Sequence, residues 1–425
     1  MADYDAIIIG AGPAGSTAAL LLARAGWSVA VIEKAAFPRR KICGEFISAP
    51  ALALLGRAGI AEEILAGAGP EVRDVGVFAG DRIVTGAMPR HDSVRPERSV
   101  AKSKDERPVM SAIGYGRALG REHLDALLLA AAARAGASVW QPWRVRSWAR
   151  ANERYVCVAE NKAREHAELH APVLIAAHGS WDTGGLTVPG AVDRSAPSDL
   201  LAFKAHFGGC DLPRHRMPLI AFPGGYGGLV HSDRGRVSFS CCIRRDVLTA
   251  CRAETPGASA GAAVLAHVLG ACRGMREAIG AGVRDGEWLA AGPLRPGIRS
   301  ACADGYFTLG NAHGEAHPIV AEGINMAIQS AWLLCERLVP AGPRASCSRL
   351  EEIARAYELA YRASFGPRIR AASAFATLAM QPKAAAAVTA LLQGLPGLLA
   401  FGARWAGKAA TYETRQPAAQ TAAAE

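Results

Sequence analysis

The ten cysteines of this 425-residue chain include no pair at C-x-x-C spacing. A disulfide framework or a zinc ribbon is therefore not expected, and the cysteine usage fits a reducing, cytoplasmic setting. There is also no Lys/Arg run interleaved with aromatics, so nucleic acid is not an expected partner, despite a formal net charge of +10. That charge favours other anionic partners: a phosphate-rich cofactor, an acidic substrate or a membrane surface. Asp3 and Asp5 stand where a secretory signal carries basic residues, so no export signal is expected. No internal repeat is evident. The uncharged run Ala384–Ala403 is long enough on paper to span a bilayer, but Thr389, Gln393, Gly394, Pro396 and Gly397 interrupt it. Two short helices packed on the domain are expected there, with peripheral membrane contact as the second reading.

Half of the residues are hydrophobic and a fifth are charged, which describes a folded chain with room for two intimate domains. "DAIIIG" is a short β-branched run that reads as a buried parallel strand. Gly10-x-Gly12-x-x-Gly15 follows it and opens a run of helix formers. The first glycine allows the tight turn, the second leaves room for a pyrophosphate, and the third lets helix and strand approach. The free N–H groups of the helix start point at the phosphates. Ala19 repeats the small residue one turn later, and Gly26 falls where a left-handed cap belongs. A second strand, "SVAVIE", ends in Glu33, whose carboxylate can accept both hydroxyls of an adenosine ribose.

Residues 305–332 repeat the theme: the strand "YFTLG", then Gly310-Asn311, a loop with Pro318, and a helix opened by Gly323. A helix start aimed at a ring suits a flavin, which gains negative charge when reduced.

Through these motifs the chain resembles the flavoprotein family of para-hydroxybenzoate hydroxylase-type monooxygenases and geranylgeranyl reductases. The likeness extends over about residues 3–340 and also rests on "RKICGEFIS", "RALGREHLDALLL" and "VLIAAHGSW". It implies FAD, with Gly10, Gly12, Gly15 and Glu33 on the ADP half. It further implies Arg121 reaching toward the flavin, Gly310 and Asn311 at the ribityl and phosphate region, and Pro318 and Gly323 along the ring. Two departures matter: Asn311 and His178 each replace an aspartate of the family pattern, and the second leaves open whether NAD(P)H supplies the electrons.

Three residues are candidates for chemistry. Cys43 is a redox or pocket cysteine, or a small packing residue. Glu45 handles a proton or binds substrate, or is salt-bridged to neighbouring basic residues. His317 donates a proton or makes a structural hydrogen bond. His313 and His317 lie on a loop with no third ligand near, so no metal is expected. Phe203, Phe207, Phe222 and Tyr226 fall in an antiparallel sheet, where they line an apolar substrate cavity or are plain core. Residues 89–108 read as a surface loop or lid.

The expected fold is α/β: a Rossmann-like parallel FAD sheet interleaved with a mostly antiparallel substrate sheet, then a helical C-terminal segment. The FAD domain takes 1–75, 110–185 and 295–340, and the substrate domain 76–109 and 186–294. A helical segment follows at 341–412 and a disordered tail at 413–425. The expected activity is FAD-dependent monooxygenation of a lipophilic aromatic, polyketide or isoprenoid substrate by O2, through a flavin C4a-hydroperoxide. The alternatives are a C=C reductase or dehydrogenase of the geranylgeranyl reductase type and a non-catalytic flavin-binding protein. A halogenase is disfavoured, because the Trp-x-Trp-x-Ile-Pro motif of that branch is absent. The oligomeric state is left open.

Overall fold

The computed structural model describes residues 2–91, 113–180, 195–299, 305–395 and 397–408. Nearly all of the expected 89–108 loop and the expected disordered tail lie outside them. The apolar runs Ala6–Ile9, Val29–Ile32 and Val173–Ala176 form strands buried along their whole length, as the centre of a parallel sheet requires. They pair in parallel, with Ala6–Ile9 in the middle. Phe307–Thr308 extends the sheet at one edge and Ser138–Trp140 at the other.

One face of this sheet packs against the helices Pro13–Arg24, Arg121–Arg134 and Gly323–Ala341. The other face, carrying Ile7, Ile9, Ala30, Ile32 and Leu174, packs on Val145, Tyr155, Cys157 and Leu169 of a second layer. That layer is an antiparallel sheet of Trp143–Ala151, Arg154–Asn161 and His166–Ala171. It lies inside the span read as the parallel domain and was not anticipated.

The substrate sheet has seven strands, in the spatial order Val283–Ala291, Leu200–Gly208, Val237–Arg244, Gly225–His231, Arg216–Phe222, Asp74–Ala79 and Arg82–Ala87. All neighbours are antiparallel except Arg216–Phe222 beside Asp74–Ala79, which run parallel. Strand alternation decides what each face shows. Phe203, Ala205 and Phe207 enter the core beneath the helices Arg245–Glu254, Ala260–Ala271 and Arg273–Ile279, and Phe222 joins them. The three phenylalanines are therefore core and do not line the substrate cavity. Tyr226 packs in a different cluster, with Ala202 and Cys242.

The C-terminal segment is helical as expected, with a long helix Cys347–Ala379 and two short ones, Pro382–Gly394 and Gly397–Ala403. The long helix is fastened to the loop after the last parallel strand. The Tyr357 hydroxyl donates to the Thr308 carbonyl at 3.0 Å, and the Tyr361 hydroxyl donates to the Gly314 carbonyl at 3.3 Å. Tyr361 also lies against His313 and Phe365, with ring centroids 3.8 Å and 4.6 Å away. Removing this buried ring leaves a cavity under the loop. We expect Tyr361→Ala to cost about 3–5 kcal/mol in chemical denaturation, and Tyr361→Phe about 1 kcal/mol. Equal losses for the two would show that the ring packing carries nothing.

Candidate dinucleotide site

The glycine-rich turn is built by two contacts. Gly10 has φ +102, and a Cβ there would lie 2.6 Å from the Ala177 carbonyl oxygen. A Cβ on Gly15 would lie 1.9 Å from the Gly10 carbonyl oxygen, so only glycine lets the helix reach the strand. Gly12 caps the helix Pro13–Arg24 with no side-chain hydrogen bond, and Pro13 occupies its first turn. The nearest atom to a Cβ on Gly12 would be Nη2 of Arg121, at 3.6 Å. The helix start thus opens onto free space faced by a guanidinium. Glu33 is buried at the tip of its strand: Oε2 accepts the Ala11 N–H at 3.0 Å and Oε1 accepts the Ala35 N–H at 2.9 Å. Each oxygen keeps a lone pair for a hydroxyl.

Two cavities meet here, and Lys41 lines both. Gly10, Glu33, Arg39, Arg40, Arg144 and His178 surround one. The other brings together Gly12, Cys43, Glu45, Arg121, Gly310, Asn311, Pro318 and Gly323. Every residue expected at the cofactor, apart from Gly15, which shapes the turn, lies on one of these walls. At their junction Arg121 is buried and bidentate on Asp125, at 2.7 and 2.8 Å, with Arg39 on the same carboxylate at 3.2 Å. Burial, followed by repulsion from Arg121 and Arg39, brings Lys41 down to about 8. An anion at this point would restore it. Burial also lowers His178 to about 4, against its hydrogen bond to the Gly179 carbonyl, so it presents a neutral ring where the family pattern has a charge.

An open helix start, a ribose-facing carboxylate and a partly uncompensated cluster of cations fit FAD. Glu33 would hold the adenosine ribose. Gly12, Lys41 and Arg121 would hold the diphosphate, and Asn311, Pro318 and Gly323 would border the flavin.

The three candidates for chemistry are placed differently. Glu45 is fully buried, with φ +63. It pairs not with its basic sequence neighbours but with Lys204, and Oε2 accepts from His206 Nε2 at 3.0 Å. Burial alone would raise this carboxyl, but Lys204 and then His206 hold it well below the usual range. Arg40 donates to His206 Nδ1 at 2.9 Å, which leaves the imidazole proton on Nε2. Glu45 is therefore a fixed carboxylate that ties the segment after Arg40 to the substrate sheet. Cys43 lines the cavity, and its sulfur accepts the Glu45 N–H at 3.4 Å. His317 is not on the cavity wall; it reaches the cavity through Tyr226, whose hydroxyl lies 2.9 Å from Nδ1. Asn311 donates to the Ser180 hydroxyl at 2.9 Å.

Sequence reasoning gave no site role to Lys41, Lys204, His206, Asp125 or Glu315. Lys204 and His206 had a readable signal: two polar residues alternate with Phe203, Ala205 and Phe207 in a strand buried on both faces.

Comparison with known proteins agrees with this geometry. A stretch of 57 residues is 51% identical to a menaquinone reductase of Mycolicibacterium smegmatis and covers 13% of this chain. It spans only 14% of that reductase's own length. The fold is similar to the myxobacterial chondrochloren halogenase CndH, an FAD-dependent halogenase. There the TM-score is 0.71 at 22% identity, over 88% of this chain and 83% of that one. It is also similar to P. aeruginosa PqsL in complex with 2-aminobenzoylacetate. That match has a TM-score of 0.64 at 19% identity, over 91% of this chain and 99% of that one. The FAD binding domain family matches residues 3–218, about half of the chain, and the protein belongs to that family.

Proposed function

We propose that the protein is an FAD-dependent monooxygenase of a lipophilic substrate that bears an ionisable hydroxyl. The observation that carries this reading is the Tyr226–His317 pair at an otherwise apolar wall. Across the cavity from the helix start, the strands Arg216–Phe222 and Gly225–His231 present Met217, Leu219, Leu229 and Val230, with Tyr226 among them. Such a wall excludes water and accepts an apolar molecule.

Bound FAD supplies two-electron chemistry and, when reduced, the reaction with O2. The reductant is a two-electron donor such as NAD(P)H. The chain's own part is to orient the substrate and to move one proton. Burial, followed by the neighbouring Cys242, raises Tyr226 well above its usual range, and burial lowers His317. Both are therefore neutral near pH 7, and with the ring proton on Nε2 the phenol donates to Nδ1. A substrate hydroxyl at the cavity passes its proton to the Tyr226 oxygen while the Tyr226 proton passes to His317. The charges left are a substrate oxyanion, electron-rich for oxygen transfer, and a half-buried imidazolium at the rim.

A second reading, reduction of a C=C bond or a quinone, uses the same pair in the opposite direction, as a proton donor to the reduced substrate. The menaquinone reductase stretch favours it.

Incubation with reductant and ¹⁸O₂ separates the two. One ¹⁸O atom in the product supports oxygenation; a product heavier by two hydrogens and free of ¹⁸O overturns it in favour of reduction. We expect Tyr226→Phe to lower kcat by about 10²- to 10⁴-fold with FAD content unchanged; an unaltered kcat would remove the pair from the reaction. Because His317 must be neutral to accept the proton, and burial lowers its pKa, kcat should hold down to about pH 6.5, with its acidic limb centred below that value. An acidic limb centred above about pH 6.5 would contradict this assignment.

A further inference from the structure

We infer that the two short C-terminal helices are a docking surface for an anionic lipid bilayer. Residues 359–412 contain six Lys or Arg and no Asp or Glu. Arg370, Lys383 and Arg404 of this stretch are exposed. The same region holds nine of the twelve exposed large hydrophobic side chains among the described residues, eight of them between Phe375 and Trp405.

The helix Pro382–Gly394 is apolar on two faces. Ala385 and Thr389 are buried and Leu392 is half-buried, and this face meets the strands Asp74–Ala79 and Arg82–Ala87. Val388, Leu391 and Leu395 follow at helical spacing on another face and are exposed, the last two by 56% and 54%. The next helix repeats the pattern. Leu399 is buried, Phe401 is 66% exposed, and an exposed Trp405 follows. A helix packed on a water-soluble surface needs one apolar face only. Leu, Phe and Trp in a stretch that carries basic and no acidic residues is the composition of a helix lying in a lipid interface.

No single helix among the described residues is long and apolar enough to cross a membrane, and the chain turns by 108° between Cys347–Ala379 and Pro382–Gly394. Both short helices keep one face on the protein and expose the other, so the contact is in the plane of the bilayer. The charge pattern selects the occupant: a second copy of this face would bring positive charge against positive charge, whereas anionic headgroups neutralise it.

The surface also adjoins the cavity. Leu399 and Leu392 pack in one cluster with Phe46, Met217, Val230 and Ala321, and those four line the cavity. A lipophilic substrate dissolved in the bilayer would thus lie one side-chain layer from its site. This last step rests on the proposed substrate class; the docking does not.

The test is flotation of the full chain, loaded with FAD, with vesicles of phosphatidylcholine alone or of phosphatidylcholine with phosphatidylglycerol. Binding is expected only with phosphatidylglycerol, and it should weaken as salt is raised. Leu391→Glu/Phe401→Glu should cut partitioning at least about 10-fold, because two apolar anchors are lost. An unchanged FAD content and circular dichroism spectrum would show that this double variant is folded. Lys383→Gln/Arg404→Gln, which leaves the apolar residues in place, should lower the preference for phosphatidylglycerol. Failure of the wild type to float with phosphatidylglycerol vesicles overturns the inference. So does a folded double variant that floats as well as the wild type. A wild-type dimer that the double variant makes monomeric, with no vesicle binding by either, would assign the face to self-association instead. None of these readouts depends on turnover, so a failure here leaves the oxygenation reading untouched, and the reverse holds as well.

Discussion

Arg39, Lys41 and Arg121 converge on a helix start that no side chain caps, and the site depends on how that charge is balanced. Moving cations out of water costs several kcal/mol each unless partners compensate. Asp125 compensates two of them, at 2.7 Å from Arg121 and 3.2 Å from Arg39. Among the described residues no carboxylate forms an ion pair with Lys41, although Asp125 and Glu33 act on it from further off, and burial with repulsion from Arg121 and Arg39 brings its pKa down to about 8. A diphosphate supplies the missing negative charge and uses the N–H groups that the helix leaves open. The folded chain thus carries a built-in bias toward an anion at the one point shared by both cavities.

The same segment, Arg39 to Phe46, also joins the two halves of the molecule. Glu45 turns back in a left-handed backbone conformation, and its carboxylate is held by Lys204 and His206 of the substrate sheet. Arg40, five residues earlier, reaches the far nitrogen of the same histidine. Losing one partner would strand a buried charge, so this clamp fixes the distance between the cofactor turn and the Tyr226 wall. Cys43 and Lys41 lie between its two ends and are positioned by it.

The parallel sheet, the glycine turn, Glu33 and the Gly310–Gly323 loop were legible because local rules govern them. Strand periodicity, the need for glycine at close approach, and a carboxylate at a strand tip all leave marks within a few residues. The two short C-terminal helices were legible for the same reason, since Gly394, Pro396 and Gly397 break the apolar run. The Glu45 clamp was not, because its members are about 160 residues apart in the chain and nothing local to "RKICGE" names Lys204. For Phe203, Phe207 and Phe222 the sequence left cavity and core both open, for a different reason. Composition marks a residue as apolar, but only the register of the sheet decides whether it faces a cavity or a core.

The neutral residues at 178 and 311 fit the same charge logic. Aspartates at both positions would add negative charge around the cations at the helix start. Here Asn311 makes a neutral hydrogen bond to Ser180, and Glu315, four residues on, is one of the carboxyl groups on the cavity wall. Burial raises the Glu315 carboxyl, while Arg299, 3.4 Å away, and the Ser180 hydroxyl pull it back. The carboxyl on this part of the loop is thus a side chain held by its own arginine. The cations at the diphosphate position keep their excess, and the arrangement still favours an anionic cofactor without the family's aspartate pair.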